Sequence, residues 1–91
     1  MTNSKYLKDY TMSANNDKLR ALLEEILLIE DSQYNDDYGP EEIETWDSLA
    51  TINIANAVEK EFGYSMSPEE IVSLETIGDI KTILISKGIE I

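Results

Sequence analysis

The chain has no cysteine and no histidine, so disulfides, thiolate metal sites and imidazole chemistry are excluded from its own side chains. Any thiol chemistry needs an imported thiol. Lys and Arg together number 7 against 19 Asp and Glu, which argues against binding nucleic acid or an anionic membrane surface. No positively charged start precedes an apolar run, and no segment approaches the roughly 20 apolar residues that span a bilayer. The expectation is a soluble, cytoplasmic protein.

What is present is one domain's worth of chain, 91 residues with a hydrophobic fraction of 42%, enough for a single modest core. Its charge is uneven. Residues 1–20 hold Lys5, Lys8, Lys18 and Arg20 against Asp9 and Asp17, a net of +2, whereas residues 21–91 hold 3 lysines against 17 acids, a net of −14. Such a surface steers encounters with basic protein patches, although acidity also serves solubility alone.

Residues 1–15 carry Tyr6, Leu7, Tyr10 and Met12 among polar residues with no turn punctuation, and read as an N-terminal tail or helical extension ahead of a domain over 16–91. Asn15 or Asn16 can cap a first helix, where Leu19, Leu22, Leu23, Ile26, Leu27 and Ile29 recur at helical spacing through Glu30. The stretch 31–46 is longer than most helix connections and should be packed or functional. Within it Pro40-Glu41-Glu42-Ile43 suits a short helical turn, with Ile43 and Trp46 as core anchors. Asp47 opens a second helix whose Leu49, Ile52, Ala55, Val58 and Phe62 are spaced to line one face, and Gly63 follows as C-cap. Ser67-Pro68-Glu69-Glu70 starts a short third helix running to about Ser73. Thr76-Ile77-Gly78-Asp79 starts a fourth, with Ile77, Ile80, Ile83 and Leu84 as its apolar stripe and Lys87-Gly88 as its end. The fold class is all-α: a four-helix bundle of three longer helices and one short one, with a long loop between helices 1 and 2.

Ser48 is the residue with the most chemical promise. A helix N-terminus presents unpaired N–H groups and the positive end of the macrodipole, so a phosphate on a first-turn serine sits in a favourable field. Asp47 caps the same donors, and if Ser48 lies just inside that cap its hydroxyl faces solvent while Leu49 turns inward. No base is available to make this serine a nucleophile in its own right, so modification by an outside agent is expected rather than catalysis. Asp and Ser are also the ordinary vocabulary of helix starts.

Taken together, Thr45-Trp46-Asp47-Ser48-Leu49, Val58-Glu59-Lys60-Glu61-Phe62 and Ser67-Pro68-Glu69-Glu70 through Thr76-Ile77-Gly78-Asp79 resemble the acyl carrier protein family over roughly residues 17–88. The resemblance implies that Ser48 carries a 4′-phosphopantetheine arm, delivered from coenzyme A by a phosphopantetheinyl transferase, with Asp47 and Leu49 flanking the attachment point. The arm's thiol would hold acyl groups as thioesters, and acyl-loading and acyl-processing enzymes with basic patches would be the partners of a monomeric, non-catalytic carrier. Glu59 and Glu69 are the candidates for partner contact, and Leu49, Ile52, Ile71 and Leu74 for a sub-pocket that shelters an acyl chain. Fatty acid synthesis members commonly have glycine where Thr45 stands and acids where Ala50 and Asn53 stand, so this chain is more similar to carriers of polyketide or other specialised pathways.

Two other readings compete. Asp31, Asn35 and Glu42 fall at positions 1, 5 and 12 of an EF-hand-like loop, although Asp36 stands where the turn needs glycine and Gln33 is a poor ligand, so no metal site is expected. An acidic helical interaction protein that binds a basic partner without modification would share the fold and charge and have no need of Ser48.

Overall fold

The computed structural model describes the backbone of residues 2–91 and the side chains of residues 14–91. Four helices follow one another: α1 (Thr2–Leu27), α2 (Ser48–Phe62), α3 (Pro68–Val72) and α4 (Ile77–Ser86), with a 3₁₀ turn at Asp31–Gln33 and no strand among the described residues. This is the expected all-α bundle with three longer helices, one short one and a long first loop. The expectation of a tail or extension at the N-terminus concerns residues whose side chains, through residue 13, lie outside the described ones.

The core follows from helical spacing. Leu19, Leu23 and Leu27 form one stripe of α1, four residues apart, and are fully buried against Ile54 and Val58 of α2 and Ile77, Ile80 and Leu84 of α4. Each such side chain contributes about 1.5–3 kcal/mol on leaving water. Ile43 and Trp46 are buried as expected and hold the long loop to this core.

Three expectations about helix limits and faces are corrected. Asn15 and Asn16 do not cap a helix, because α1 runs through them. Their side chains tie distant segments instead: Asn15 donates to the Glu90 carbonyl at 2.7 Å, and Asn16 accepts from the Tyr34 hydroxyl at 3.2 Å. The helix also ends at Leu27 and not Glu30, because Leu28 turns left-handed at φ 57° and the Ile29 amide reaches back to the Glu24 carbonyl. That Schellman-type stop usually takes glycine, and leucine there costs about 1 kcal/mol. The buried stripe of α2 is Ala50, Ile54, Ala55 and Val58, so Leu49 faces outward at 68% exposure and Ile52 is exposed as well.

The long loop is seated on the start of α4. Amides of Ile77 and Gly78 donate to the Tyr38 and Asp36 carbonyls at 2.9 Å each. Gly39 packs so tightly that a Cβ there would meet the Glu75 carbonyl oxygen at 1.6 Å. From Gly39 the chain makes one helical turn, with the Glu42 and Ile43 amides bonded to its carbonyl, which is the short turn expected at Pro40–Ile43. Lys81 of α4 pairs with Asp36 at 2.7 Å and lies over the Tyr34 ring, and Arg20 of α1 lies over the same ring. The loop is thus fastened to both neighbouring helices.

Candidate functional site

The start of α2 is held from behind by the core. Trp46, 2% exposed, fills the base of the turn, and its indole N–H donates to Thr51 Oγ1 at 2.9 Å. Thr51 in turn donates to the Asp47 carbonyl at 3.1 Å. On the other side the Thr45 hydroxyl donates to the Leu27 carbonyl, one of the orphan acceptors at the end of α1. The two residues before Asp47 are therefore fixed by one tie to α2 and one to α1.

Asp47 sits in extended conformation at the N-cap, and its Oδ1 accepts from the Ala50 amide at 2.8 Å, as expected. Ser48 is the first helical residue and its side chain is exposed. Among the described residues the Ser48 and Leu49 amides take no protein partner, so donors of the first turn remain open to solvent or an anion beside the serine hydroxyl. Their field is that of the positive helix end.

An open groove of about 280 Å³ begins at Ser48 and is lined by Ser48, Thr51, Ile52, Ile71, Val72 and Leu74. Three of the four expected sub-pocket residues, Ile52, Ile71 and Leu74, therefore come together, whereas Leu49 points elsewhere. Thr51 and Val72 were not anticipated. Thr51 was legible only once its hydroxyl was seen tied to Trp46, and Val72, 82% exposed, looks like helix filler in one dimension. The groove offers an apolar wall that begins beside the serine hydroxyl and the open amides.

Glu59 and Glu69 are both exposed. Glu59 lies eleven residues beyond Ser48, about 16 Å along the axis and nearly on the same face of α2. Glu69 opens α3 across the groove. Of the two neutral positions noted in α2, Ala50 is buried and has no bearing on surface charge, whereas Asn53 is exposed. From residue 21 to residue 59 the chain has eleven acids and no Lys or Arg. At the far side of α3 the Glu70 carboxylate accepts from the Tyr64 hydroxyl at 2.5 Å and the Ser67 amide at 3.0 Å, bonds that hold its pKa below the usual glutamate range and raise that of Tyr64.

The three residues of the calcium-loop reading are engaged in other contacts. Asp31 pairs with Arg20 at 3.1 Å, Asn35 caps the Asp37 amide, and Glu42 accepts from the Gly39 amide at 2.7 Å. Among the described residues no three of His, Cys, Asp and Glu converge to hold a metal ion. Nor is any described helix long and apolar enough to cross a membrane.

No curated protein matches the chain in a search of such proteins. The family model described as phosphopantetheine attachment site matches residues 17–84, about three-quarters of the sequence, spanning the last turns of α1 that pack in the core, the seated loop, the capped serine and the groove. The chain belongs to this family of acyl-carrier-type domains, which are carriers and not enzymes, bear a covalently attached 4′-phosphopantetheine and work with phosphopantetheinyl transferases and biosynthetic enzymes.

Proposed function

We propose that this protein is an acyl carrier whose arm is attached at Ser48 Oγ, with Asp47 fixing the helix start and Leu49 standing beside the attachment point. The observation that carries the reading is an exposed serine hydroxyl at the first position of a capped helix, with open amides beside it and a groove leading away. The arm's terminal thiol holds the acyl group as a thioester. The chain's own residues supply the rest: Asp47 and Trp46 hold the serine in place, Ile52, Ile71, Val72 and Leu74 offer the arm or its cargo an apolar wall, and the acidic surface brings enzymes with basic patches. Glu59, on the face of Ser48, and Glu69, across the groove, are the contacts proposed for those enzymes.

The pathway proposed is polyketide or other specialised biosynthesis. Support comes from Thr45 where fatty acid synthesis carriers commonly have glycine, and from exposed, neutral Asn53 early in α2, which thins the acidic strip next to the serine. The carrier domain is residues 16–91, with the preceding residues as an extension, acting as a cytoplasmic monomer.

The test is intact mass after incubation with coenzyme A, Mg²⁺ and a broad-specificity phosphopantetheinyl transferase, beside Ser48→Ala. A gain of one phosphopantetheine in the wild type and none in the variant is the expected result. A gain retained in Ser48→Ala would move the attachment to another residue, and no gain with several transferases would favour an unmodified acidic interaction module.

A further inference from the structure

Leu28 is held in a conformation its residue type resists. It has a left-handed φ of 57°, the one non-glycine residue so placed among those described, and it is 80% exposed. Glycine makes the same helix stop without the clash of a Cβ. The turn lets Ile29 enter the core, but in the free chain the leucine side chain itself belongs to neither the core nor the partly buried shell around it, so nothing in the fold calls for leucine over glycine here.

Its position is informative. The Thr45 hydroxyl bonds to the carbonyl of Leu27, the residue before Leu28, and Thr45 is three residues from Ser48. With at most 3.8 Å per Cα step, Leu28 and Ser48 are less than about 20 Å apart. A protein interface of ordinary size covers about 800 Å² on each partner, a disc about 32 Å across. Enzymes that act on the thiol do their chemistry at the far end of a long arm. A transferase that modifies the serine oxygen has to bring its active site onto Ser48 itself, and a footprint of that width, wider than the separation of the two residues, has room for both Ser48 and Leu28. Leu28 also stands within the 21–59 stretch that has eleven acids and no cation, entered from outside by Arg20 at Asp31 and Lys81 at Asp36.

We propose that Leu28 is an anchor for the phosphopantetheinyl transferase, entering an apolar depression of that enzyme ringed by Lys and Arg. The inference rests on Ser48 being the modified residue. An apolar side chain desolvated at an interface lends affinity, while the surrounding acids speed encounter and exclude acidic partners. The leucine is thus strained in the free carrier and stabilised in the complex.

The test compares wild type, Leu28→Gly and Leu28→Met, each as the full chain, with coenzyme A, Mg²⁺ and the transferase. Thermal melting is followed by circular dichroism and the rate of modification by intact mass. Leu28→Gly should melt about 4 °C higher because the turn is relieved, yet be modified with a kcat/KM about tenfold lower, chiefly through KM. Leu28→Met, which keeps an apolar side chain and the strain, should stay within about twofold of wild type. Equal modification of the glycine variant and the wild type would overturn the proposal while leaving Ser48 untouched. A glycine variant that melted well below wild type would overturn it too, since the side chain would then be serving the fold. A wild-type chain that took up no phosphopantetheine would overturn the Ser48 reading, and this inference with it.

Discussion

The starts of α3 and α4 are closed on themselves, whereas the start of α2 is left open. At α3 the Ser67 side chain accepts the Glu70 amide and the Glu70 side chain accepts the Ser67 amide, and at α4 Thr76 and Asp79 do the same. At α2 Asp47 takes the Ala50 amide, but the third helical position is a buried alanine, and the Asp47 amide turns back to the Thr45 carbonyl at 3.0 Å instead. The difference teaches what a helix start is for in each place. The box takes only the cap amide and the third one; the first-turn donors of α3 and α4 are further reduced because Pro68 has no amide and the Ile77 and Gly78 amides are spent on loop carbonyls. A single cap with an exposed serine keeps donors for something that arrives from outside.

The largest effect that probes this contrast is expected where the loop before α2 rests on the closed start of α4. Gly39→Ala would drive a Cβ into the Glu75 carbonyl, which is backbone and cannot swing aside. A loss of roughly 3 kcal/mol or more is expected, read as a fall in the urea midpoint. Closing the open start by force comes next. Ala50→Glu supplies the missing box residue, but at a site only 6% exposed, so burial of the carboxylate should cost about 2 kcal/mol instead of adding the few tenths a capping glutamate brings.

Cap removal separates the two kinds of start. Thr76→Ala and Asp47→Ala should each cost about 1 kcal/mol, or about 4–8 °C in melting temperature for a domain of this size. Only Asp47→Ala should also slow modification by the transferase. Equal slowing in both variants would mean that stability, and not the open start, governs the reaction.

The smallest effect concerns pH. The Tyr64 hydroxyl and the Ser67 amide hold the Glu70 carboxyl below its ordinary pKa, so the stability they lend is complete above the ordinary glutamate range and is lost as pH falls through the lowered value. In Tyr64→Phe the Glu70 carboxyl should titrate higher than in the wild type, a difference that NMR reads directly. Unchanged titration would show that the tyrosine bond does not hold in solution.

How much was legible in the sequence follows the same divide. Closed starts are written locally, in Ser67-Pro68-Glu69-Glu70 and Thr76-Ile77-Gly78-Asp79, and both helices begin where those residues say. Ile43, Trp46 and Gly63 were equally readable, since a bulky residue in a polar loop and a glycine after a helical run have few other uses. The face of α2 was not. Two apolar stripes overlap there, Leu49-Ile52 and Ala50-Ile54, and only α1 and α4 decide that the one with small alanines packs inward. Leu28 escaped for a similar reason: nothing in Leu27-Leu28-Ile29 announces a stop, and the helix ends because Ile29 is drawn into the core. Asn15 and Asn16 have the vocabulary of a cap but serve contacts 75 and 18 residues away in sequence, which no local pattern carries.

Trp46 is the chain's only tryptophan, against 5 tyrosines. It stands two residues before Ser48, and its indole is joined to Thr51, which lines the groove. Light absorbed at the red edge, past the tyrosines, is therefore emitted from one spot at the start of α2. The colour and lifetime of that emission report on the bond between the indole and Thr51, so the protein has a native optical gauge of how its second helix begins.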